Sequence, residues 1–210
     1  MTRATRQPLP MRVWRAIAAS SLAVVAAVSP VPTHGAPATF AGAGSVEVAF
    51  TPHDAVDARI VAAIAAAERE VLVLAYSFTQ PRISRALAAA HARGLRVEVV
   101  ADRAQTLELP QSIVPAMARD GVPVWLDGNF GAAHNKVVII DADGPHATTI
   151  TGSYNFTVAA QKKNAENVLI LRDNPDVARA YRAYFRRLRD NAQRWNGEDG
   201  GNAGKRRGAR

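Results

Sequence analysis

Residues 134–141 read H-N-K-V-V-I-I-D. In an extended chain His134 and Lys136 point to the same side, because side chains repeat every two residues. An imidazole can attack an electrophile or move a proton near neutral pH. An ammonium beside it can hold the oxygens of a phosphate. Two later stretches add to this set. Thr151-Gly152-Ser153-Tyr154-Asn155-Phe156 supplies a hydroxyl and an amide as neutral donors, with Gly152 allowing close backbone approach. Lys163-Asn164-Ala165-Glu166-Asn167 supplies a carboxylate. A histidine oriented by a carboxylate is suited to be a nucleophile or an acid–base group. The remaining histidines read as ordinary positions. His34 lies near the N-terminus, His53 at a helix entry, His91 on a helix surface and His146 in a loop. The tripeptide H-N-K alone would equally fit a solvated loop, so the case rests on the three stretches meeting.

The elements around them make that meeting plausible. Val137–Ile140 is a continuous apolar run, as in a strand buried on both faces. It reads as strand Lys136–Ile140, paired through the turn at 141–146 with a strand over Ala147–Thr151, which returns Gly152 to the side of His134. Further strands are expected over Val46–Phe50, Val71–Ala75, Leu95–Val100, Val122–Leu126 and Asn167–Leu171. Helices are expected over Ala55–Ala67, with Thr51 or Asp54 as cap, over Arg82–Arg93 and Ile113–Arg119, closed by Gly94 and Gly121, and over Asp176–Arg194. This alternation predicts a single α/β domain over residues 45–196, with a mixed, largely parallel central sheet and helices on both faces.

Composition narrows the chemistry further. The 210 residues include no cysteine, which excludes disulfides, thiolate metal sites and a cysteine nucleophile. The net charge is +8, and half of that excess comes from Arg3, Arg6, Arg12 and Arg15 in the first 41 residues, which carry no acid. Those arginines precede an apolar stretch from Ala16 to Val28, too short for the roughly 20 residues of a membrane span. The pattern is that of a cleaved export signal over residues 1–41, cut somewhere between 35 and 44, with an uncleaved membrane anchor as the alternative, and it implies a periplasmic or secreted protein. The Gly-rich, charged tail at 197–210 reads as disordered. The weakly basic body is compatible with a polyanionic partner.

His134-x-Lys136-x4-Asp141 followed by Gly152-Ser153-x-Asn155 resembles the HKD signature of the phospholipase D superfamily. The wider likeness is to its single-motif bacterial endonucleases. Ala75-Tyr76-Ser77-Phe78-Thr79, Arg93-Gly94, Lys163-Asn164-x-Glu166-Asn167 and Arg194-Trp195-Asn196 also match that group, so the resemblance covers about residues 45–196. One departure is a longer hairpin, with ten residues between Asp141 and Gly152.

The resemblance implies a covalent two-step phosphodiesterase that needs no metal or other cofactor. His134 would attack phosphorus and form a phosphohistidine, and a second histidine would protonate the leaving oxygen and then activate water. Lys136, Ser153 and Asn155 would hold the non-bridging oxygens. Glu166 would accept a hydrogen bond from His134. Asp141 lies at the far end of the apolar strand and reads as structural, like Gly152. Since only one motif is present, the second histidine is expected from a second copy in a homodimer with a shared site. The expected substrate is nucleic acid, DNA or RNA, with Arg82, Arg85, Arg103, Lys162 and Lys163 as candidates to line its path. A lipid phosphodiesterase acting on phosphatidylcholine or cardiolipin would carry the same motif, and a non-catalytic nucleic-acid-binding module is a third class.

Overall fold

The computed structural model describes residues 37–197. The expected leader and C-terminal tail fall largely outside the described residues. The chain order is β1 (Ser45–Phe50), α1 (Val56–Ala65), β2 (Glu70–Ala75), α2 (Pro81–Ala92), β3 (Arg96–Asp102), α3 (Arg103–Leu107), α4 (Val114–Arg119), β4 (Val124–Asp127), β5 (Lys136–Ile140), β6 (Thr148–Gly152), α5 (Val158–Lys162), β7 (Asn167–Arg172), α6 (Pro175–Asn191) and β8 (Gln193–Trp195). The strands form one sheet in the order β1-β7-β6-β5-β2-β3-β4-β8.

Alternation sorts the strand residues onto two faces. Val71, Val73 and Ala75 of β2 and Val138 and Ile140 of β5 join one core. There they meet Val56, Ile60 and Ile64 of α1 and Ile83, Leu87 and Ala90 of α2, apolar positions spaced one helical turn apart. Leu72, Leu74, Val137 and Ile139 face the other way and pack on Ala178, Phe185 and Leu188 of α6. β2 and β5 are therefore buried on both faces, which is why their sequences are unbroken apolar runs.

The mixed α/β class with helices on both faces is as expected, but the sheet is less parallel than the sequence suggested. Only β2–β3 and β3–β4 run parallel. The other five pairings are antiparallel. The cause is the return at β5. It pairs with β2 rather than with its sequence neighbour β4, and everything after it up to β7 is built by hairpin-like returns.

Three local differences also appear. α1 has Ala55 at its N-cap and no side-chain cap, because Asp54 accepts from the Phe50 N–H instead. The last helix stops at Asn191, where Ala192 turns extended. Gln193–Trp195 then adds an edge strand beside β4, and Trp195 is buried there. Short helices α3 and α5 were not anticipated.

Candidate active site

The register places the candidate residues on one rim of the sheet. Ala75, at the end of β2, pairs with Lys136 at the start of β5. Val137 pairs with Thr151, Gly152 with Val168, and Phe50 with Asn167. Thus Tyr76, His134, Lys136, Ser153, Glu166 and Thr51 emerge at the same end. Strand ends on a rigid sheet are a common place for function in α/β folds.

His134 is exposed, whereas Lys136 is 7% exposed and roots in the strand. The Lys136 ammonium lies 2.9 Å from His134 Nδ1, 3.2 Å from Nε2 and 3.0 Å from the His134 carbonyl oxygen. An ammonium can only donate, so the ring nitrogen that accepts from it carries no proton. Burial pushes the Lys136 pKa below the usual lysine range, and the Glu166 carboxylate partly offsets this. Tyr76 forms the wall of this corner. Its ring centroid is 4.3 Å from that of His134, and the ammonium sits 4.9 Å from it. The Tyr76 N–H donates to the Asn135 carbonyl at 2.8 Å, continuing the β2–β5 pairing up to the motif.

Ser153 and Glu166 form the second half. Ser153 Oγ donates to Glu166 Oε2 at 2.6 Å and accepts from the Asn167 N–H at 3.1 Å. Asn164 Nδ2 donates to Glu166 Oε1 at 2.9 Å. Thr51 Oγ1 accepts from the Glu166 N–H and donates to the Asn164 carbonyl. The glycine before Ser153 is dictated by this closeness, since a Cβ on Gly152 would stand 2.2 Å from the Asn167 carbonyl oxygen. The expected Glu166–His134 hydrogen bond is absent. Both Glu166 oxygens are engaged by Ser153 and Asn164, and the carboxylate acts on the histidine's neighbour Lys136 through charge. Asn155 is half-buried on the following turn, and its side-chain oxygen is buried without a hydrogen-bond partner. Among the described residues no bond joins it to the other four.

Asp141 belongs to the opposite rim, about 17 Å along β5 from Lys136. Its carboxylate accepts from the backbone N–H groups of Glu68, Arg69 and Glu70 at 2.8, 2.8 and 2.9 Å, tying the end of β5 to the start of β2. The longer hairpin at 142–147 lies at that end too, away from His134. Two positioning residues escaped the sequence reading. Asp102 is 4% exposed, and its two oxygens accept from Gln105 N and from Ala133 N, each at 2.8 Å, so it anchors the loop one residue before His134. Thr51 holds the Glu166 strand. A polar residue ending an apolar strand was the available signal for Asp102. Among the described residues, no group of three or more His, Asp or Glu side chains is placed to hold a metal ion.

Residues 60–189 match the family model described as "Cardiolipin synthase, PLD-like domain". The chain belongs to the phospholipase D superfamily. Among its relatives is a phospholipase D of Rickettsia conorii, 39% identical over 136 residues, with 65% of each chain covered. Another is a mitochondrial cardiolipin hydrolase of Xenopus laevis, 33% identical over 138 residues, covering 65% of this chain and 63% of that protein. The chain thus spans just under two-thirds of the length of these curated relatives. The crystal structure of the phospholipase D family member Nuc from Salmonella typhimurium is similar to it with a TM-score of 0.66 and 32% identity, over 72% of this chain and 97% of that one. The His134–Lys136 pair and the Gly152–Ser153 turn, through which the sequence resembles the family's motif, both lie within the matched residues.

Proposed function

We propose that this protein is a metal-independent phosphodiesterase that cuts nucleic acid with low sequence specificity, exported from the cytoplasm and acting through a phosphohistidine on His134. The observation that carries the reading is the rim cluster, in which an exposed imidazole stands against a rooted ammonium, beside a serine hydroxyl and a carboxylate. A His134 ring nitrogen attacks phosphorus, the P–N bond forms, and the P–O bond to the leaving strand breaks. The leaving oxygen takes a proton from an imidazolium. That imidazole then takes a proton from water, whose oxygen attacks phosphorus, and the P–N bond breaks to restore His134. Lys136 and Ser153 hold the non-bridging oxygens, and Asn155 serves them through its amide N–H2 end. Glu166 keeps the Lys136 charge and orders Ser153. No other histidine of the chain has a lysine two residues on, so the acid–base imidazole is the partner subunit's His134.

A surface suited to that partner adjoins the site. Val46, Val48 and Phe50 of β1 are 60%, 52% and 56% exposed, and Leu169 of β7, paired with Val48, is 39% exposed. By alternation they share the sheet face that α6 covers further along, and Phe50 pairs with Asn167 at the rim. Together they expose on the order of 400 Å² of apolar side chain, about half of what each partner buries in a standard interface. A second copy seated there covers the patch and brings two rims together.

Nucleic acid is favoured because Lys162 at the end of α5 and Lys163 just after it stand exposed, directly before the Asn164–Glu166 segment, where a polyanionic strand would pass. The curated relatives favour a second reading, a lipid phosphodiesterase. The test offers the full chain plasmid DNA, RNA, and vesicles of phosphatidylcholine or cardiolipin in excess EDTA. Cleavage of nucleic acid that survives EDTA and vanishes in His134→Asn supports the proposal. Headgroup release without strand cleavage overturns the nuclease reading.

A further inference from the structure

We infer that the cavity between Phe130 and Tyr184 is a stacking subsite for an unpaired nucleobase beside the catalytic rim. This inference rests on the nuclease reading and names the form of its substrate. The cavity measures about 510 Å³, and its lining includes Phe130 together with Tyr184 and Leu188 of α6. A second cavity of about 200 Å³ lies on another side of Phe130 and is lined by Arg103 and Leu107. Phe130 is 57% exposed, although it sits in a well-held loop.

That loop is fixed at both ends. Asp127 Oδ1 accepts from the N–H and the Nδ2 of Asn129 at 3.0 and 3.1 Å, and Asn129 Nδ2 also donates to the Asn191 carbonyl at 2.9 Å. Asp102 holds Ala133 at the far end. A large apolar ring presented to water from a clamped loop gains nothing for the fold, since burial is what stabilises such a ring. It is placed to receive a flat partner. Phe130 precedes His134 by four residues, so the two lie within about 14 Å even if the chain between them is fully extended.

Charge identifies the partner. The Arg187 guanidinium lies 5.0 Å from the Tyr184 ring centroid, so the second aromatic ring of the lining is already backed by a cation. Arg103 flanks the other cavity. Aromatic rings interleaved with arginines fit bases and phosphates of one strand. An acyl chain would require a continuous apolar lining, which Asp127, Asn129 and Arg187 interrupt. A base inside a duplex is stacked on its neighbours and cannot enter, so the site selects single strands or frayed ends.

The experiment uses full-length His134→Asn protein, which binds without cutting. Fluorescence anisotropy compares a labelled single-stranded oligonucleotide with one of equal length whose central residues are abasic. Both keep their phosphates, so the gap between them reports stacking. The intact strand should bind about 5- to 150-fold more tightly, the range that loss of one base–aromatic stack produces. Adding Phe130→Ala should close that gap and leave abasic binding unchanged, Tyr184→Ala should narrow it, and Phe130→Trp should restore it. An unchanged gap in Phe130→Ala, in a protein that still binds and, with His134 intact, cuts nucleic acid, overturns the subsite alone. No binding of either strand, together with hydrolysis of phosphatidylcholine or cardiolipin vesicles by the unmodified chain, overturns the nuclease reading and the subsite with it.

Discussion

Asp141→Ala is expected to destabilise the protein while sparing its chemistry. The carboxylate accepts three backbone hydrogen bonds between 2.8 and 2.9 Å, one fully buried and two partly buried. A charged acceptor contributes about 1.5–3 kcal/mol per bond, and donors left without partners add to the loss. Sharing one carboxylate makes the three bonds non-additive, so a net loss of about 4 kcal/mol is expected. In a domain of this size each kcal/mol lowers Tm by roughly 2–4 °C, which puts the drop near 12 °C. Asp141 also has φ 48, a conformation that alanine tolerates less well than aspartate. Calorimetry gives the Tm, and strand-cleavage rates are read well below it. Below the melting range, kcat should stay within about threefold of the parent, because Asp141 lies about 17 Å along the strand from Lys136. Unchanged Tm with cleavage abolished would refute a scaffold role for this motif residue.

Three further outcomes follow from the geometry. Glu166→Gln removes the carboxylate that supports the Lys136 charge, so Lys136 loses its proton at lower pH and the alkaline limb of kcat/KM moves down; Lys136→Arg, which stays protonated, should lack that limb. Gly152→Ala must push the Asn167 carbonyl away from a Cβ at 2.2 Å, parting Ser153 from Glu166; stability should fall by about 1–3 kcal/mol and cleavage should be lost, measured by denaturant titration and rate. Val48→Asp puts a charge in the exposed β1–β7 face, so sedimentation should show a folded monomer with cleavage lost in parallel; a fully active monomer would contradict the shared site.

The sequence carried the His134–Lys136 pair because its spacing is local: two residues on one side of a strand need no tertiary knowledge. Asp141 was separable from them by strand length alone. The partners of Glu166 were not legible. A motif brings strands near each other but does not say that Ser153 and Asn164 will occupy both carboxylate oxygens. Strand direction was also hidden, because the 128–135 loop carries the chain from β4 past β3 and β2 to add β5 on the far side of β2. The helix over-extension to Arg194 has a similar origin. Trp195 gains burial beside β4, and that long-range contact overrides a local pattern that continues to read as helix. Asp102 and Phe130 each act through a loop that the sequence shows only as a gap between strands.

In the proposed mechanism phosphorus passes through a covalent bond to His134. Rapid quench of the full chain with an oligonucleotide carrying 32P at its internal phosphates, in EDTA, tests it most directly. Label is expected on the protein, stable to alkali, released by acid, mapped to the peptide bearing His134 and absent from His134→Asn. Efficient cleavage with no protein-bound label at any quench time, or with label retained in His134→Asn, would contradict it.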